Sequence, residues 1–152
     1  MQTLGIMFHH FHNDFHLKSQ GSISKKGFNQ VLDFLESKYN IIDSDEYTER
    51  FINNTLTSKE TCITFDDSLR CQYDIALPIL EERGIKAFFF VYSSALTESP
   101  DRLEIYRYLR NSFFPDIEAF YRHFFNLVSK KYQDTYQKAT ESFYKLDYLA
   151  AF

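Results

Sequence analysis

The order of apolar and polar positions divides this chain into short strand-like runs and amphipathic helices. Cys62-Ile63-Thr64-Phe65 is a β-branched and aromatic run that suits a buried strand, and Asp66 and Asp67 end it. A helical pattern follows from Leu69, with Ile75, Leu77, Ile79 and Leu80 at helix-face spacings, until Gly84 offers a left-handed cap. Ile85 to Tyr92 is then almost continuously apolar, the pattern of a strand covered on both faces in a parallel sheet. The unit predicted over 61–94 is a βαβ crossover, and its two carboxylates lie at the carboxyl end of the first strand. That is the end at which α/β sheets place their chemistry.

The flanking segments read in the same way. Thr3 to Phe8 is a first strand, running into a loop with His9, His10, His12 and His16. Ser24 caps a helix from Lys25 that shows Phe28, Val31, Leu32 and Leu35 on one face and ends near Tyr39-Asn40. Ile41 and Ile42 form a short strand, and 43–54 a helix whose acidic residues make a solvated face. After Val91 the character changes. Ser93, Ser94, Thr97, Ser99 and Pro100 form a loop, and no glycine occurs from Asp101 onward. Leu103, Tyr106, Leu109 and Arg110 lie on a helix that Pro115 ends, and helices follow at Asp116–Tyr132 with Phe120, Phe124 and Leu127 on one side, and at Asp134–Phe152 with Phe143, Leu146 and Leu149. The aromatic stripe reads first as packing surface, with a carbohydrate-lining role as the other use of tyrosine-rich helices.

Composition narrows the classes. A chain of 152 residues is one domain's worth and long enough for a core. A net charge of −4 and a pI near 5.7 leave no basic footprint for nucleic acid. Cys62 and Cys71 read as buried, reduced thiols. No window approaches the ~20 apolar residues of a spanning helix, and histidines interrupt the apolar stretch at the N-terminus, so the expectation is a cytoplasmic protein.

Two acids at a strand end suit metal chemistry, because the side-chain alternation of a strand breaks where the chain leaves the sheet and both can then reach one site. One carboxylate can hold a cation and its neighbour take a proton from water. The bland alternative is a pair of solvated turn aspartates. Four of the five histidines fall within eight residues. His12 and His16, spaced i, i+4, are candidates for metal ligands if the segment is helical, whereas Asn13 and Asp14 between them favour a turn. A histidine directly after the first strand shares the rim of Asp66 and Asp67, which makes His9 and His10 the favoured active-site neighbours.

Thr64-Phe65-Asp66-Asp67, Ala76-Leu77-Pro78-Ile79-Leu80 and Gly84-Ile85-Lys86-Ala87-Phe88-Phe89-Phe90-Val91 together resemble the first motif region of the polysaccharide deacetylases, metal-dependent carbohydrate esterases. The opening Met7-Phe8-His9-His10-Phe11-His12, with Gly21-Ser22-Ile23-Ser24 and Phe28, is similar to the start of such enzymes. Ser68 stands where the family has glycine and Phe88 where it has threonine. The resemblance implies Asp66 as general base, Asp67 as ligand of a divalent metal (zinc), and Ser68, His9 and His10 on the active-site rim. It further implies an α/β fold holding the first strands and helices of a (β/α) barrel over 1–100, and a helical insertion or extension packed on it over 101–152. The implied reaction is hydrolytic removal of N-acetyl or O-acetyl groups from a sugar of a polysaccharide or glycolipid precursor, with an acetylated sugar or oligosaccharide as partner.

The family's H-(S/T)-x-x-H segment does not follow Asp67. His123 is the single downstream histidine, in a helical pattern that suits surface or core. Catalytic zinc ordinarily takes three protein ligands. The expectation is therefore the front half of such an enzyme, incomplete or inactive unless the N-terminal histidines or a second chain complete the site. A non-catalytic carbohydrate- or protein-binding remnant is the alternative. A phosphoacceptor receiver domain ranks low, because serines follow Tyr92 where it needs further acidic and basic groups. The exposed edge of an unfinished sheet favours self-association.

Overall fold

The computed structural model describes residues 4–19, 21–97 and 102–145. Thr3, Ser99, Pro100, Asp101, Leu146 and Leu149, used in the sequence reading, lie outside them. The chain divides into a unit of Met1–Arg107 and a unit of Tyr108–Phe152.

The first unit is mixed α/β. Its elements are β1 (Leu4–Phe8), β2 (Phe11–His12), β3 (Ile23–Ser24), α1 (Lys25–Glu36), β4 (Asn40–Ile41), α2 (Ser44–Ile52), β5 (Glu60–Phe65), a π-helical turn (Gln72–Ala76) running into α3 (Leu77–Arg83), β6 (Phe88–Phe89), and the start of α4 (Arg102–Phe113). All described strand pairs are parallel. β5 is the centre of the main sheet. β1 covers one edge of it from Leu4↔Thr61 to Phe8↔Phe65, β4 pairs with its start and β6 with its end. β2 and β3 form a separate two-stranded sheet.

Local chemistry explains the helices. Ser24 Oγ accepts the Gly27 N–H at 3.1 Å and caps α1, which buries Phe28, Leu32 and Leu35. Gly84 ends α3 in the left-handed region at φ 67°, where a side chain would be strained. The core joins that face of α1 to Ile63 and Phe65 of β5 and to Ile75, Ile79 and Leu80. Phe8, Phe11, Phe28 and Phe65 meet in it, with Phe28 edge-on to the other three at 4.9–6.2 Å between ring centres.

The structure corrects one strand. The apolar run 85–92 is not a long strand covered on both faces: only Phe88–Phe89 is regular, and Phe90 and Val91 are 55% and 60% exposed. The run lies at the rim of β5, where Phe90 N–H still reaches Phe65 C=O at 2.8 Å, and among the described residues no further strand pairs with β6. Its apolar character therefore reflects one packed face, not two.

The second unit contains α5 (Ile117–Lys131) and α6 (Gln133–Lys145). Asp116 caps α5 by accepting the Ala119 N–H at 2.7 Å. Phe120, Tyr121, Phe124 and Phe125 stack along α5, and Phe125 meets Tyr136 of α6 at 6.5 Å. No described helix is long and apolar enough to cross a membrane.

Candidate active site

The register of β1 on β5 builds the site. Phe8 is the partner of Phe65, so the residues that follow each strand leave the sheet side by side, His9 and His10 from one and Asp66 and Asp67 from the other. Asp66 N–H donates to Phe8 C=O at 3.3 Å across this boundary. Gln72, buried in the π-helical turn, fastens both ends: its Nε2 donates to His9 C=O at 3.0 Å and to Asp66 C=O, while its Oε1 accepts the Leu69 N–H at 3.3 Å. Single π turns of this kind recur at functional sites.

The chain then turns sharply. Asp67 and Ser68 both take positive φ, 76° and 52°. This turn carries the Asp67 carboxylate inward, its side chain only 10% exposed, while Asp66 stays one-third exposed. Tyr92 donates its hydroxyl to Asp67 Oδ1, and Ser68 Oγ donates to Phe90 C=O at 3.3 Å. His9 Nε2 lies 3.8 Å from Asp66 Oδ2 and 3.9 Å from Asp67 Oδ2, near enough to interact electrostatically with both.

His10 faces a different set. Its Nε2 is 2.9 Å from Arg107 Nη1 and 3.5 Å from Glu104 Oε1, and Arg107 also bonds Glu104 and lies 3.7 Å from Asp67 Oδ2. Burial holds the His10 imidazole below the ordinary histidine pKa, against the opposing pull of Glu104. A neutral ring with Nε2 unprotonated both accepts from a guanidinium and suits metal ligation.

The remaining sequence candidates stand elsewhere. His12 Nδ1 pairs with Ser22 Oγ at 2.8 Å, and His16 Nε2 with Asp74 Oδ2 at 2.9 Å. Asp74 in turn is bonded by Arg70, and these two partners hold its carboxyl below the usual range. His123, in the second unit, lies against the Phe114 ring at 5.7 Å. Glu104, Arg107, Tyr92 and Gln72 were not among the sequence candidates. Tyr92 carried a signal, as the polar end of the apolar run after the acids. Gln72, between the charged Arg70 and Asp74, carried no signal of its own. Glu104 and Arg107 carried none beyond their i, i+3 spacing.

A metal is the group the acids imply. Among the described residues, one donor atom each from His10, Asp67 and Glu104 lies within 4.8 Å of the others. One imidazole nitrogen and two carboxylate oxygens are a donor set that zinc accepts, so the residues present fit a divalent cation in chemistry. Beside the acids opens an apolar groove of about 300 Å³ lined by Ser68, Leu69, Gln72, Tyr73, Leu77, Phe89 and Val91.

Residues 53–108 match the family model described as polysaccharide deacetylase. The structure of IcaB from Ammonifex degensii is similar at a TM-score of 0.51 with 27% identity, covering 59% of this chain and 37% of that one. A de-N-acetylase from Aggregatibacter actinomycetemcomitans matches at TM-score 0.46 and 20% identity over 56% of this chain and 35% of that one. The Streptococcus pyogenes deacetylase PplD, solved with acetate, matches at 0.48 and 22% over 66% and 48%. No curated protein matches. The chain spans between 35% and 48% of the length of these solved structures.

Proposed function

From the premise that this chain carries the N-terminal portion of a polysaccharide deacetylase-family domain, we propose that it serves metal-dependent hydrolysis of N-acetyl or O-acetyl groups on a sugar of a polysaccharide or glycolipid precursor. On this reading the first unit is a partial (β/α) barrel and 101–152 a helical insertion or extension belonging to it. The observation that carries the reading is the pair Asp66 and Asp67 at the carboxyl rim of β5, one side chain 34% exposed and the other 10%.

The two acids divide the work by environment. Asp66, one-third exposed and with no ion pair closer than the 3.8 Å to His9 among the described residues, takes the proton of the attacking water on its carboxylate and later returns it to the leaving amine or alcohol. His9 stands beside both acids, its Nε2 3.8 and 3.9 Å from them. Asp67, held by Tyr92, would ligate a divalent cation, zinc by family resemblance. Such a cation, when bound, polarises the acyl carbonyl and makes a water acidic near pH ~7. The groove beside Ser68 offers Tyr73 and Phe89 to the apolar face of a sugar ring.

Acetate release from acetylated chitooligosaccharides in the presence of zinc tests this. Asp66→Asn should lower the rate by roughly 10²–10⁴-fold while leaving zinc binding in place, because it removes only the proton acceptor. A folded, zinc-loaded protein that releases no acetate would end the hydrolase reading. That outcome would favour a non-catalytic sugar- or protein-binding remnant, a second reading supported by the guanidinium of Arg107 lying among the donors.

A further inference from the structure

We propose that His10 and Glu104 complete a three-donor cation site with Asp67, and that Arg107 occupies this site as a built-in competitor which a divalent metal must displace. The proposal rests on the reading of Asp67 as a metal ligand and adds to it the other two donors.

Three separated segments converge: the loop after β1 supplies His10, the turn after β5 supplies Asp67, and α4 supplies Glu104. Their donor atoms share a space less than 4.8 Å across. Two carboxylates gathered so closely repel each other unless a positive charge lies between them. Arg107 supplies that charge, with Nη1 at 2.9 Å from His10 Nε2, at 3.7 Å from Asp67 Oδ2 and hydrogen-bonded to Glu104. One guanidinium nitrogen thus lies within 3.7 Å of a donor atom on each of the three candidate ligands.

A guanidinium keeps its charge at any accessible pH, so a metal cannot enter by deprotonating it. Two cations cannot share one set of lone pairs, so metal binding and the seated Arg107 are mutually exclusive. The side chain has a way out. It is one-third exposed, it lies one helical turn from Glu104, and its stem is long and flexible. Apparent metal affinity then equals the intrinsic affinity reduced by the fraction of molecules in which Arg107 has swung away.

Zinc titration against a chromophoric chelator at neutral pH tests the arrangement, with thermal melts confirming that each variant folds. Arg107→Gln should bind one zinc per chain about tenfold or more tighter than the unaltered chain. Arg107→Lys, which keeps the charge, should stay nearer the unaltered chain. Asp67→Asn, His10→Gln and Glu104→Gln should each weaken binding by at least about tenfold. Unchanged or weaker zinc binding in Arg107→Gln overturns the proposal, as does full affinity in His10→Gln or Glu104→Gln. Zinc binding with this pattern but no acetate release removes the hydrolase reading alone. Asp66-dependent acetate release with zinc affinity indifferent to Arg107 removes this inference alone.

Discussion

Ser68 sits in a backbone conformation that favours glycine. Its φ of 52° follows directly on 76° at Asp67, so two side-chain-bearing residues in succession occupy the left-handed region. Each such residue is strained by about 1–2 kcal/mol. Asp67 must keep its carboxylate, whereas the Ser68 hydroxyl makes one exposed 3.3 Å bond to Phe90 C=O, worth little. Ser68→Gly should therefore stabilise the fold by about 0.5–1 kcal/mol after the added flexibility of glycine in the unfolded chain is set against the relieved strain. A thermal melt reads this as a rise of a few degrees. A lowered midpoint would mean that the hydroxyl matters more than the backbone strain.

At the scale of elements, the placing of the acid pair rests on how β5 is held at both ends. Its end is fastened to β1 through Gln72. Its start is fastened to α2 through Glu60, which is buried and accepts from Thr57 N–H at 2.8 Å and from Arg50 Nη1 at 2.6 Å. The Thr57 N–H is the largest influence holding the Glu60 carboxyl below its ordinary value, with Arg50 adding to it. A carboxyl depressed in the folded state contributes stability that is present above the unfolded glutamate value of about 4.3 and is lost as pH falls through the lower folded value. Glu60→Gln should therefore melt below the unaltered chain at pH 7, and the gap should close as the pH is taken below about 4. A gap constant with pH would show the loss to be one of packing and not of charge.

For the molecule as a whole, the core decides which groups are chemically available. Cys62 and Cys71 are both free and buried, and burial pushes both thiols above their ordinary pKa. Cys71 Sγ also accepts the Phe11 N–H at 3.4 Å. A thiol that is hard to ionise and closed to solvent is inert. A disulfide-exchange reagent at neutral pH should label neither cysteine in the folded chain and both after urea unfolding. Rapid labelling of the native chain would place one of them at the surface.

Much of the architecture was legible because it is written locally. The spacing of Phe28, Leu32 and Leu35, the Ser24 cap and the Gly84 stop define α1 and α3 from side chains a turn apart. The acid pair at a strand end needed only the change from a β-branched run to Asp66 and Asp67. The length of β6 was misread because an apolar run records that side chains meet other apolar groups, not on how many faces. The sequence by itself determined β1, β5, α1, α2 and α3 and the presence of paired acids after β5, but not the short β2–β3 pair that holds His12. Only the tertiary structure decided which histidine meets which acid, since that follows from the parallel register of Phe8 with Phe65. It alone brought in Glu104 and Arg107, because a hydrogen bond formed across 97 positions of chain, as between Arg107 and His10, leaves no periodic mark on either segment.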